Sequence, residues 1–250
     1  MENVTISRRF VGPPDSGHGG YACGLVAASL GPDAVQVTLR RPPPIDRPLQ
    51  LSPEPDRVTL LDGEHLVAEA VVAPDLDDGT SPEPVSWEEA EKLAATFDVD
   101  RYGAQHWFPG CFACGPHRAP GDGLRLFPGW SGTDRTAWPW SPDPSLADAD
   151  GLVEPIFLWS ALDCPTGLVW YHEDPPVPPH VMGRMTAVVR RRPRVGDRLV
   201  VGAWGISAEG RKRLAGSAVW DDTGEVLAES RATWIKLDEH QQSQFRSGQS

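Results

Sequence analysis

His18-Gly19-Gly20-Tyr21-Ala22-Cys23-Gly24-Leu25-Val26-Ala27-Ala28-Ser29-Leu30 is an apolar, small-residue run that opens on a histidine and two glycines. Far downstream, Glu154-Pro155-Ile156-Phe157-Leu158-Trp159-Ser160-Ala161-Leu162-Asp163 opens a second apolar run. With His18 set against Glu154, Asp163 falls opposite Ala27. The first run thus has His-Gly-Gly without the acid, and the second has the acid without His-Gly-Gly. Both runs read as helices that are apolar nearly all round, and such a helix must be wrapped by other elements. A carboxylate and a glycine-rich helix start are complementary parts, which two packed copies of one unit would pool.

The segments that follow each run repeat as well. Arg41-Pro42 followed by Asp46-Arg47 recurs as Arg192-Pro193 followed by Asp197-Arg198, with the same internal spacing. Gly63-Glu64 and Leu66-Val67-Ala68-Glu69 recur as Gly224-Glu225 and Leu227-Ala228-Glu229, with one residue dropped. Internal repetition is to be sought before any fold is assigned. This repeat is too long for a solenoid and suits two copies of one small domain, each large enough for its own core in a chain of 250 residues.

Around the two helices, expected at 19–30 and 155–170, the pattern predicts antiparallel strands. The first copy has strands at 3–10, 34–40, 48–52, 56–61 and 65–73, with Gly31-Pro32 stopping the helix and Asp62-Gly63 as a hairpin turn. The second has strands near 124–127 and 133–140, then a meander at 181–191, 198–207, 212–220 and 226–237. Between them lie a Pro- and acid-rich linker and a short helix at 86–97, with Ser86 as N-cap and Glu89 completing a capping box. The reading divides the chain into a first copy at 1–75, a linker with the short helix at 76–107, a second copy at 108–238 and a disordered tail at 239–250. A proline-rich stretch, Asp174 to Pro179, is an insertion that the first copy lacks.

Strand, apolar helix and several antiparallel strands, given twice, resemble the hotdog fold. Two copies in one chain resemble a double-hotdog acyl-CoA thioesterase-type protein. Three pieces carry the resemblance: His18-Gly19-Gly20 at the helix start, Leu162-Asp163 on the second helix, and Cys111-Phe112-Ala113-Cys114-Gly115-Pro116 followed by Gly123-Leu124. The resemblance implies an α+β fold in which two curved antiparallel sheets each wrap a central apolar helix. It also implies hydrolysis of an acyl thioester, with an acyl-CoA or related thioester as partner, at one composite site between the copies. Asp163 would act as base or nucleophile, and the amides near Gly19 and Gly20 would hold the oxyanion beside His18. Glu154 in place of His-Gly-Gly and Ala27 in place of the acid limit the chain to one such site. A dehydratase or hydratase using His18 and Asp163, and a non-catalytic acyl- or lipid-binding protein, are the rival readings.

Each residue also has a plainer reading. Pro165 is uncomfortable inside a helix, so Asp163 could cap a helical segment restarting there. Gly19 and Gly20 could merely permit a tight turn. Trp159 and Trp170 are candidates for an acyl pocket and equally for ordinary core. Arg191 and Arg192, in the single basic cluster, are candidates for the phosphates of coenzyme A or for a charged strand edge. Cys111 and Cys114 between His106 and His117 offer four zinc donors at a cramped spacing, while the resemblance explains the CxxC without metal. The mechanism requires no metal and no cofactor. Cys23 and Cys164 read as buried small hydrophobes.

Composition removes other classes. A net charge of −12 argues against nucleic acid and against an anionic membrane surface. No stretch reaches the ~20 apolar residues of a membrane span, and Arg8-Arg9 leads into no apolar run of the signal-peptide kind. Four cysteines are a poor disulfide framework at this length, so a cytoplasmic location is expected. The two copies form a pseudo-dimer within one chain, with a homodimer of chains left open.

Overall fold

The computed structural model describes residues 2–76, 79–132, 134–172, 179–239 and 241–243. Its frame is a ten-stranded sheet in which every neighbouring pair is antiparallel. The strands are β1 (Glu2–Thr5), β2 (Val35–Leu39), β3 (Pro48–Pro53), β4 (Arg57–Asp62), β5 (His65–Val72), β6 (Arg135–Trp140), β7 (His180–Val189), β8 (Leu199–Glu209), β9 (Lys212–Asp221) and β10 (Val226–Lys236). Their order is β1-β3-β4-β5-β2-β7-β10-β9-β8-β6. Read outward from the middle, the two halves have the same connectivity. β2 and β7 are the inner strands and β1 and β6 the edges, with a long helix between edge and inner strand in the sequence of each half. The sequence repeat is therefore a structural repeat. The halves share one sheet, because β2 pairs with β7 from Val35↔Ala187 to Thr38↔Arg184, where two separate sheets were expected.

The long helices are α1 (Gly19–Ala27) and α4 (Pro155–Leu168), and they pack on the sheet and on each other. Glycines set how closely they meet. A Cβ on Gly20 would lie 2.5 Å from Trp159 O and 2.6 Å from Asp163 Cβ, and one on Gly24 would lie 3.0 Å from Ile156 Cα. One face of α1 is thus nearly bare backbone, which brings the carboxylate of α4 against the start of α1. α1 gives way to a 3-10 turn at Ala28–Leu30 and stops at Gly31, whose φ of 87° suits glycine. α4 runs through Pro165 without a break. Asp163 is therefore a mid-helix residue and does not cap a restarting segment. Ser217 Oγ donates to Leu162 O (2.7 Å) and Thr166 Oγ1 to Asp163 O (2.5 Å), both close to the turn where Pro165 lacks an N–H.

Between the halves lie α2 (Trp87–Ala95) and α3 (Val99–Gln105), and α2 packs on β6 and β8. Ser86 accepts from Glu89 N–H (3.2 Å) as the expected N-cap. We expect Ser86→Ala to cost about 1 kcal/mol, seen as a fall in Tm of about 2–4 °C in a thermal melt.

Several expectations are corrected. The first strand ends at Thr5, and Arg8–Phe10 is a 3-10 turn capped by Ser7, with Asp46 accepting from Arg8 N–H (2.9 Å). No strand forms at 124–127. Leu124 and Leu126 N–H donate to Phe112 O (2.9 Å) and Ala113 O (2.8 Å) of the CxxC turn, while Arg125 takes a φ of 53° that no extended strand allows. α3 was not expected; Asp98 caps it by accepting from Arg101 N–H (2.8 Å). Residues 239 and 241–243 form a helical turn, not a disordered tail, with Gln241 Oε1 accepting from Arg211 (2.9 Å). Residues 174–178 of the proline-rich insertion, together with 173, 240 and 244–250, lie outside the described residues. No helix among the described residues is long and apolar enough to cross a membrane.

Candidate active site

The two halves of the sequence motif meet. Asp163, on α4, is buried and its Oδ2 accepts from Gly20 N–H (2.5 Å) at the start of α1. The same oxygen lies 3.3 Å from His18 Nε2. Its other oxygen, Oδ1, is buried without a hydrogen-bond partner among the described residues. This is a buried carboxylate clamped through one oxygen and unpartnered at the other.

His18 is the N-cap of α1, with Nδ1 accepting from Tyr21 N–H (3.2 Å). An imidazole nitrogen that accepts a backbone N–H carries no proton, so the capping ring holds its proton on Nε2. That N–H faces Asp163 Oδ2 and also Cys164 Sγ, 3.2 Å away. His106 repeats the device: Nδ1 accepts from Phe108 N–H (2.9 Å), and Nε2 faces Cys114 Sγ at 3.4 Å. Cys111 Sγ lies 3.6 Å from Cys164 Sγ.

Burial governs the charges. It pushes Asp163 up to about 6, against the opposing pull of His18 and the Gly20 N–H, with Cys111 adding to the rise. Burial disfavours the His18 imidazolium, but the charges of Asp163 and Cys111 outweigh it and set His18 above its ordinary value. The helix cap works the other way, because a proton on Nδ1 would break the bond to Tyr21. Burial holds His106 down to about 4, so it is neutral.

A cavity of about 560 Å³ opens on this cluster, in the range of small-molecule sites. His18, Gly19 and Asp163 line it, as do the thiols of Cys111, Cys114 and Cys164. Gly19 is the first residue of α1, where backbone N–H groups lack intrahelical acceptors. A Cβ there would lie 2.8 Å from Met182 Cε and 3.1 Å from Asp163 Oδ2, so only glycine leaves this corner clear. Leu39, Tyr171, Met182 and Trp234 supply apolar wall, and Arg41 is an exposed cation beside it.

The structure gathers His18, Gly19, Gly20 and Asp163, and leaves the other candidates elsewhere. Gly20 N–H is spent on Asp163 and is not open to an oxyanion. Trp159 is buried against α1, and Trp170 stacks under Arg213 next to Gly205; neither lines the cavity. Arg191 pairs with Asp221 (2.5 Å) and Glu225 (3.0 Å), and Arg192 with Asp148 (2.6 Å), also away from it.

Of the donors considered for zinc, His117 is exposed and outside the cluster. The donors that do gather are His18, Cys111 and Cys164, whose ligand atoms all lie within 4.8 Å of one another. They fit a cation poorly, because a ligating Nε2 must be unprotonated and the ring's hydrogen bond puts the proton there. Sequence reading set Cys164 aside as a small hydrophobe, although its position next to Asp163 on the helix was the available signal.

No model of a protein family matches the sequence, and no curated protein does. Solved structures do. A TesB protein of Mycobacterium avium subspecies paratuberculosis superposes with a TM-score of 0.61 at 14% identity, covering 91% of this chain and 90% of that one. A candidate thioesterase II from Thermobifida fusca gives 0.58 at 14% identity, over 94% and 92%. A conserved protein of unknown function with a hot dog fold from Alicyclobacillus acidocaldarius gives 0.57 at 13% identity, over 94% and 92%. The fold is the hotdog fold.

Proposed function

We propose that the chain is a double hotdog, with copies at 1–75 and 108–238 joined through 76–107, that hydrolyses acyl thioesters at one composite site. The observation that carries this reading is the half-clamped carboxylate. Gly20 N–H and His18 Nε2 hold Asp163 Oδ2, while the buried Oδ1 has no partner among the described residues, and Asp163 is one of the residues that line the cavity. Oδ1 takes a proton from water as that water attacks the thioester carbonyl, and the thiolate of the carrier leaves. The carbonyl oxygen, gaining charge, is met by the N–H of Gly19 at the positive end of α1. Gly20 and His18 orient the base. The names of the TesB and thioesterase II neighbours agree with this reading, and the fold alone would host other chemistries.

Coenzyme A is the carrier this site suits best. Arg41, exposed at the cavity, is placed to meet its phosphates, in contrast to Arg191 and Arg192. A hydratase using His18 is disfavoured, since Nε2 is engaged with Asp163 and Cys164 and Nδ1 with Tyr21. Four free thiols accord with a cytoplasmic setting.

The test is thiol release from short, medium and long acyl-CoAs. Because the base must be ionised and burial sets Asp163 at about 6, kcat/KM is expected to rise through about that pH and level off above it. Absence of thiol release from every substrate, with an acyl ligand copurifying, would instead make the chain a binding protein.

A further inference from the structure

The thiols beside Asp163 have no part in the hydrolysis proposed above, yet their arrangement is specific. Cys111 comes from the CxxC turn, closed by Gly115 N–H donating to Cys111 O (2.9 Å), and Cys164 comes from α4. Their sulfurs are 3.6 Å apart, while Cys114, the other cysteine of the turn, has its sulfur against His106 Nε2 at 3.4 Å. Cys111 thus has a close partner from α4 in Cys164, besides its neighbour Cys114 in the turn. All four cysteines are free. His18 Nε2 lies 3.2 Å from Cys164 Sγ, while Cys111, Cys114 and burial hold the Cys164 thiol well above its ordinary range, so Cys164 stays protonated. Both cysteines are among the residues that line the cavity.

We propose that Cys111 and Cys164 are a redox modification site, at which hydrogen peroxide oxidises Cys111 and Cys164 then closes on it as a disulfide. The Cys111 thiolate attacks one peroxide oxygen, the O–O bond breaks, and hydroxide leaves a sulfenic acid on Cys111. Cys164, giving its proton to solvent, attacks that sulfur and expels the second hydroxide. Two thiols become one disulfide, and one peroxide becomes two waters. Hydrogen bonds from Cys114 and Cys164 hold Cys111 well below the ordinary thiol range although burial opposes this, and His18 assists; this selects Cys111 as the first to react. Closing from 3.6 Å to a bond of about 2.0 Å brings the two sulfurs about 1.6 Å nearer. The inference is independent of the thioesterase reading.

The test is peptide mapping of the wild-type protein after hydrogen peroxide in metal-free buffer and alkylation in denaturant. The expected product is two hydrogens lighter and reversible by dithiothreitol, with fragment ions joining Cys111 to Cys164 and Cys23 alkylated. In C164S, Cys111 should be trapped by dimedone as the sulfenic acid. Three results would overturn the proposal: a Cys111–Cys114 bond, full alkylation of Cys111 and Cys164 after peroxide, or one equivalent of zinc released by oxidation of the purified protein.

Discussion

Asp163→Asn is expected to lower kcat for acyl-CoA hydrolysis by about a hundredfold or more, the range of lost general-base catalysis, with little change in KM. The amide can still accept from Gly20 N–H through its oxygen, so the geometry of the α1–α4 contact survives. What is lost is the lone pair that takes a proton from water, since a neutral amide is no base near pH 7. The residual rate should no longer rise through about pH 6, the value that burial sets for Asp163.

Stability provides an independent check on the same residue. Asp163 binds its proton more tightly folded, at about 6, than at its ordinary value of 3.8. Between those values the folded chain holds a proton the unfolded chain has released, so Asp163's contribution to stability falls as pH rises through that window. The Asn variant has no such proton. Its Tm relative to wild type should therefore be higher at about pH 7 than at about pH 4. A Tm difference that does not move with pH would mean that Asp163 titrates as an ordinary carboxyl.

Gly20→Ala is expected to have the largest effect on folding. The added Cβ meets Trp159 O at 2.5 Å, Asp163 Cβ at 2.6 Å and Ser160 Cα at 3.0 Å. These are backbone and near-backbone atoms of a buried helix, and no rotamer change relieves them. Overpacking of this kind costs about 1–3 kcal/mol, and the multiple contacts put this site near the top of the range. The gain of about 1 kcal/mol in helix propensity is too small to offset it. At about 2–4 °C per kcal/mol for a chain of this size, Tm should fall by several degrees. Activity should fall as well, because α1 must move off α4 and Asp163 loses its N–H partner. Gly110→Ala is the control, since nothing lies within 4 Å of that Cβ and it should melt like wild type.

Much of the architecture was legible because local chemistry specified it. Turn glycines marked the hairpins: Gly63, Gly210 and Gly224 all take positive φ between paired strands. The internal repeat appears in the structure as two halves of equal connectivity, and His18 does meet Asp163, as the split motif implied. What was hidden depended on partners distant in sequence. Leu124 and Leu126 spend their N–H groups on the CxxC turn, which an alternating apolar pattern does not reveal. Arg191 and Arg192 read as a free basic cluster until Asp221, Glu225 and Asp148 are seen to neutralise them. Gly20 read as an oxyanion donor, but its N–H holds the base. The proximity of Cys111 to Cys164 is likewise set by the fold.

The central claim is that His18 of one copy and Asp163 of the other act as one unit. A double-mutant cycle in acyl-CoA thiol release tests it most directly, using His18→Asn, whose amide oxygen can still cap α1, Asp163→Asn, and the pair. Residues acting as a unit give strongly non-additive losses. The account predicts that each single change lowers kcat and that the double variant is no slower than Asp163→Asn alone. Losses that multiply, or a His18→Asn variant as fast as wild type, would contradict it.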